Sequence, residues 1–123
     1  MPDPRHALGE RAEGAAAAWL EARGWTILAR RWRCPEGELD LVAHDADGVL
    51  VGIEVKVRRT GRAGDPLASI DRRRLLRLRK ALGRFRSEAT RSTGEGLRVD
   101  LVGLRPDEHG QWRLSHHRAI DTW

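Results

Sequence analysis

Cysteine is almost missing from the 123 residues: Cys34 stands alone, which excludes an internal disulfide framework and fits a reducing compartment. No apolar run approaches the roughly 18–20 residues a membrane helix needs, which excludes a transmembrane span. The start, MPDPRHALGE, lacks the apolar stretch of a secretory signal, so a cytoplasmic location is expected. His44, His109, His116, His117 and Cys34 form no zinc-like spacing. Gly61 and Gly64 lack the Gly-Lys-Ser/Thr ending of a phosphate-binding loop, and no serine sits in a nucleophile motif. Lysine is scarce too. Only Lys56 and Lys80 stand against 21 arginines, a bias that genome composition can produce, so charge alone does not prove arginine-specific recognition. It does single out each lysine.

What is present suffices for one compact α/β domain over residues 1–123, with its core at about 5–120: the chain is 13.9 kDa and 40% hydrophobic. The net charge of +5 is unevenly spread. Residues 1–55 hold 6 basic and 10 acidic side chains, residues 56–98 hold 14 and 4, and residues 99–123 hold 3 and 4. An acidic first half and a basic second half suit a polyanion held beside a carboxylate site, the alternative being an ordinary solvated surface.

Periodicity predicts a helix from about Arg5 to Arg23, with Leu8, Ala12, Ala15, Trp19 and Ala22 on one stripe and Gly24 as its stop. A short strand over Trp25–Arg33 leads through Cys34–Gly37 to a second strand, Glu38–His44, in which Leu39, Leu41 and Ala43 share one face. Asp45–Gly48 signals a hairpin. In the next strand Val49, Val51, Ile53, Val55 and Val57 face one way, and Leu50, Gly52, Glu54 and Lys56 the other. Arg58–Pro66 reads as a basic loop, and Asp71 as the cap of a helix reaching about Arg86. That helix turns Leu75, Leu78, Leu82 and Phe85 inward and a row of arginines outward. A loop over Ser87–Gly96 and strands over Leu97–Leu104 and Gln111–His116 complete the chain. Trp19 belongs to the core stripe, and Trp25, Trp32, Trp112 and Trp123 suit partial core or an interface.

The hairpin carries the chemistry. A three-residue loop, Ala46–Gly48, sets Asp40 opposite Glu54 and Glu38 opposite Lys56. Two carboxylate side chains whose Cβ atoms are about 5 Å apart on one face repel, unless one is protonated or a cation lies between them. A hard divalent ion, Mg²⁺ or Mn²⁺, answers that repulsion, and Lys56 on the same face could hold a phosphate oxygen or an attacking water. The competing reading is a Glu38–Lys56 salt bridge on a wet face, with Asp40 and Glu54 solvated. Glu13 flanks the apolar stripe of the first helix and is placed to reach the sheet edge, or else to pair with an arginine.

Gly9-xxx-Glu13-xx-Ala16-xx-Trp19-Leu20-xxx-Gly24, Gly37-Glu38-Leu39-Asp40-Leu41, Glu54-Val55-Lys56-x-Arg58 and Leu97-Arg98-Val99-Asp100-Leu101-Val102 closely resemble the bacterial YraN family, over about residues 7–120. The resemblance implies a restriction-endonuclease-like fold, a mixed central sheet flanked by helices, similar to archaeal Holliday-junction resolvases. It also implies active-site positions for Glu13, Asp40, Glu54 and Lys56, with the Val55 carbonyl near a metal. The chain departs from the family pattern at Arg74, where lysine is usual, and at Arg118-Ala119-Ile120, where Asn/Asp-Ala-Phe is usual.

The expectation is therefore a Mg²⁺- or Mn²⁺-dependent nuclease acting on DNA, with branched or junction DNA among its candidate substrates. Asp40 and Glu54 would hold the metal, with Glu13 and the Val55 carbonyl as further candidates. Arg58, Arg59, Arg62, Arg73, Arg74, Arg77 and Arg84 would grip phosphates. A DNA-binding accessory protein without cleavage, and a module whose basic helix meets an acidic partner, are the alternatives. A second copy of the chain is a further candidate partner.

Overall fold

The computed structural model describes residues 4–58, 67, 70–89 and 96–121, with side chains described from residue 7. Five strands form one mixed sheet in chain order β1-β2-β3-β4-β5. They are β1 (Thr26–Cys34), β2 (Gly37–His44), β3 (Leu50–Val57), β4 (Leu97–Pro106) and β5 (Trp112–His117). Helix α1 (Pro4–Glu21) precedes the sheet, and α2 (Arg72–Ala89) connects β3 to β4. That crossover makes β3 and β4 parallel, whereas the hairpin-joined neighbours are antiparallel. The protein is a single α/β domain with one helix on each face of the sheet.

Alternation along β3 assigns the two faces. Val51 and Ile53 join Ala12, Ala16, Ala17 and Leu20 of α1, with Val49, Val55 and Val57 packed against that cluster. Leu50 joins Leu78, Ala81, Leu82 and Phe85 of α2. Gly52 lets the second layer approach closely: a Cβ there would lie 3.2 Å from Leu39 Cδ2 and 3.4 Å from Leu82 Cδ1. Asp71 caps α2 as expected, its Oδ1 accepting a 2.8 Å bond from the Arg74 N–H.

Three expectations are corrected. The buried stripe of α1 runs through Ala12, Ala16, Ala17 and Leu20; Trp19 sits on its flank, and Ala22 lies beyond the helix end and is exposed. Small side chains let the helix settle onto the sheet, so the alanines take its centre. Leu39 does not share a face with Leu41 and Ala43 but packs in the α2 layer. The cause lies across the ladder: Arg31, between the pairs Arg30↔Leu41 and Trp32↔Leu39, has φ +51° and breaks the pleat opposite Asp40. Third, the arginines of α2 are not all outward. Arg74, Arg79 and Arg84 reach Glu54, Asp121 and Glu36 respectively, because the layer beneath offers buried or half-buried carboxylates. The loop 59–66, with Arg59 and Arg62, most of the 87–96 loop, and Trp123 lie outside the described residues.

Candidate active site

The hairpin register is the expected one, with Asp45–Gly48 as its turn. Leu41↔Ile53, Val42↔Gly52, Ala43↔Val51 and His44↔Leu50 are the ladder pairs. Asp45 Oδ1 accepts bonds from the Asp47 and Val49 N–H groups, and Gly48 takes φ +86°. Asp40 and Glu54 lie one step past the last pair. There the ladder gives way to a side chain, as the Val55 N–H donates to Asp40 Oδ2 at 2.8 Å. Glu38 and Lys56 are not partners: Glu38 pairs with Arg33 at 3.4 Å, and Lys56 Nζ lies 4.0 Å from Glu54 Oε1. The salt bridge of the wet-face reading is therefore absent among the described residues.

Burial makes the pair costly. The Glu54 side chain is 4% exposed. Desolvation, then the charge of Glu54, push the Asp40 carboxyl up to about 7, against the opposing Val55 hydrogen bond. Arg74 Nη2 supplies the compensating cation, 3.0 and 3.1 Å from the two Glu54 oxygens. Beside the pair a cleft of about 240 Å³ opens between the β1–β2 turn and α2, lined in part by Glu38, Asp40, Arg74 and Arg77.

Glu13 has a cation of its own. Its Oε2 accepts from Arg31 Nε at 2.8 Å, the pairing that the plainer reading anticipated, although its charge still contributes to raising Asp40. A hard cation fits the donors in kind, because two carboxylates from adjacent strands converge where burial disfavours their charge, with Arg74 and, at 4.0 Å, Lys56 as the cations beside Glu54. Among the described residues no third carboxylate closes the set.

The profile of the Uncharacterised protein family UPF0102 matches residues 12–104. The chain belongs to that family. This is the YraN family whose motifs the sequence resembles. A UPF0102 protein of Beutenbergia cavernae is 39% identical over 116 residues, covering 94% of this chain and 97% of its own. One from Streptomyces coelicolor is 38% identical over 117 residues, covering 94% and 89%. Among solved structures, a repair endonuclease from Pyrococcus abyssi overlaps with TM-score 0.46 and 19% identity, covering 84% of this chain but 38% of its own. SfsA of Pyrococcus furiosus in complex with Ca²⁺ overlaps with TM-score 0.44 and 17% identity, covering 89% and 63%. At these scores the overlaps carry no argument about activity. No helix among the described residues is long and apolar enough to cross a membrane.

In this UPF0102 chain the described arginines expected to meet phosphate fall into three groups. Arg73 and Arg77 are exposed on α2. Arg84 is held by Glu36 and Glu88, and Arg74 by Glu54. Arg58 donates its N–H to Leu104 O, and its Nε is shielded with no partner among the described residues. Sequence reasoning missed a second buried network on the α1 side. There Asp100 gathers Arg98, His116 and the Ala119 N–H, and Arg98 also reaches Asp45. The alternation of β4 was its one available signal, since Asp100 shares the face of Val102, a core position.

Asp40→Asn should stabilise the metal-free protein at alkaline pH. The folded chain holds the Asp40 proton to about 7, against an ordinary value of 3.8, so it binds more protons than the unfolded chain between those limits. Stability from this group is complete below about pH 4 and is lost as pH rises through 7. The asparagine variant lacks that slope and should gain at least about 1 kcal/mol at pH 8, a fraction of the roughly 4 kcal/mol that the full shift represents, hence roughly 4 °C or more in Tm, but nothing at pH 4. Thermal melts in chelator at both pH values check this; parallel Tm–pH curves for the two proteins would contradict it.

Proposed function

We propose that this UPF0102 chain is a divalent-metal-dependent phosphodiesterase of restriction-endonuclease-like type that acts on nucleic acid, DNA foremost. The observation that carries the reading is the pairing of half-buried Asp40 with buried Glu54, Lys56 4.0 Å from Glu54, beside a cleft edged by Arg74 and Arg77. Two neighbouring acids in a half-buried setting are expensive as structure and useful as cation ligands. The left-handed Arg31 opposite Asp40 adds local backbone strain at the same place.

Asp40 and Glu54 would hold a Mg²⁺ or Mn²⁺ ion, with the Val55 carbonyl as a further donor; Glu13, held here by Arg31, would act on the site only through its charge. When bound, the ion supplies a Lewis acid that polarises the phosphate and acidifies a water. To hold the ion Asp40 would have to be ionised, which its raised pKa opposes at neutral pH. Lys56 presents a compact positive charge to the phosphate and orients the water, stabilising charge as it develops. Arg73 and Arg77 lie along the exposed face of α2, where they meet phosphates and fix position without reading bases.

Incubation of linear, flapped, four-way-junction and RNA substrates with Mn²⁺ is the direct test. Products should form with the wild type and vanish with Glu54→Gln, while calorimetry shows Mn²⁺ binding weakened at least tenfold in that variant. One observation favours the accessory reading: Arg74 already neutralises Glu54 without a metal. DNA binding with no product from any substrate, and no Mn²⁺ heat, would select it.

A further inference from the structure

Arg74 was expected to grip phosphate, and the structure ties it to a carboxylate instead. The manner of the tie is informative. One nitrogen, Nη2, serves both oxygens of Glu54. The Nη1 and Nε groups have no acceptor among the described residues, and the side chain is 47% exposed at the mouth of the cleft. A guanidinium that committed both edges to Glu54 would be a closed structural pair; this one keeps a free donor edge. Its backbone is anchored meanwhile, because Asp71 holds the Arg74 N–H and Leu78, one turn on, is buried in the α2 layer. The side chain can therefore move while the helix stays.

The pairing also competes with the proposed metal. Glu54 oxygens that face Arg74 are those a cation would need, and two cations cannot share them closely without repulsion. Resting on the metal-dependent reading above, we propose that Arg74 is a partner-exchanging phosphate clamp. In the metal-free protein it neutralises Glu54. On loading it yields Glu54 to the divalent ion and turns its donor edge to a backbone phosphate of the nucleic acid in the 240 Å³ cleft, alongside Arg77. Metal and nucleic acid then bind cooperatively through one side chain: the metal frees the guanidinium, and phosphate capture frees the carboxylate. By linkage the coupling is the same in both directions. Lys56, a point charge beside the pair, does not substitute for the planar fork.

The test measures Mn²⁺ affinity by calorimetry without DNA, and duplex DNA affinity by fluorescence anisotropy with and without Ca²⁺. Arg74→Gln should bind Mn²⁺ about tenfold more tightly than wild type, because the competing cation is gone. In the wild type Ca²⁺ should raise DNA affinity, and in Arg74→Gln most of that gain should vanish. Arg74→Lys, which keeps the charge, should restore wild-type Mn²⁺ affinity but not the DNA gain. If the wild type binds Mn²⁺ and Arg74→Gln binds it equally or more weakly, Arg74 is a fixed structural partner and the clamp is overturned while the metal reading stands. A wild type that binds no Mn²⁺ overturns both. Should Arg74→Gln fail to fold, the wild type decides alone: DNA affinity unchanged or lowered by Ca²⁺ overturns the clamp.

Discussion

Asp100→Ala should lower the stability of the fold by about 3–5 kcal/mol, the cost of opening a buried charged network by deleting one partner. Asp100 has no exposed surface. Its Oδ1 accepts from Arg98 Nε at 2.8 Å and from the Ala119 N–H at 2.8 Å, and its Oδ2 lies 2.8 Å from His116 Nε2. Burial alone would raise its pKa, but the bonds from His116, Arg98 and Ala119 outweigh that and hold it low. The carboxylate thus stabilises the fold above about pH 4 and loses that contribution as acidification reaches its depressed pKa. Removal does more than delete an ion pair. His116, edge-on to Trp19 and Trp25, loses its anchor, and Ala119 loses the bond that helps hold its φ of +54°. A fall in Tm of roughly 12 °C or more is expected for a domain of this size. Asp100→Asn, which keeps the shape and some of the bonds, should fall less. A loss below about 1 kcal/mol in urea denaturation of Asp100→Ala would show that the network contributes little beyond its own solvation.

If the chain is the metal-dependent phosphodiesterase proposed above, Lys56→Ala should reduce its cleavage by about 100-fold or more, with DNA affinity nearly unchanged, since removing one preorganised positive donor from a developing charge typically costs that much. Lys56 is one of 14 basic residues in the segment 56–98, so it adds little to overall attraction. Yet among the described residues it is the lysine that shares the Glu54 face of β3, 4.0 Å from that carboxylate and about a quarter exposed. The rate and the affinity should therefore separate. Lys56→Arg should recover activity only in part, because a planar guanidinium does not occupy the same point. Single-turnover rates with saturating Mn²⁺ measure the effect; equal rates for wild type and Lys56→Ala would remove this residue from the chemistry.

Local rules carried well along this chain. Asp45 and Gly48 define the turn through bonds spanning four residues at most, so the hairpin register was legible, and with it the meeting of Asp40 and Glu54. The period-two pattern of β3 separated the residues into two faces, and the structure lays α1 on one and α2 on the other. The same pattern misplaced Leu39, because the kink at Arg31 belongs to the neighbouring strand and leaves no mark in the spacing of β2.

The sequence by itself determined the α/β class, the hairpin and its register, the cap of α2, and the two carboxylates and lysine on adjacent strands. Each of these depends on residues a few positions apart. Tertiary structure alone decided which cation meets which acid: Arg74 with Glu54, Arg31 with Glu13, Arg84 with Glu36, and Arg98 with both Asp45 and Asp100. With 21 arginines available, the type of residue distinguishes none of these pairs. Most join residues 18 to 53 positions apart, so the choice follows from how the helices are laid across the sheet and how its strands are ordered, relations that no local spacing encodes.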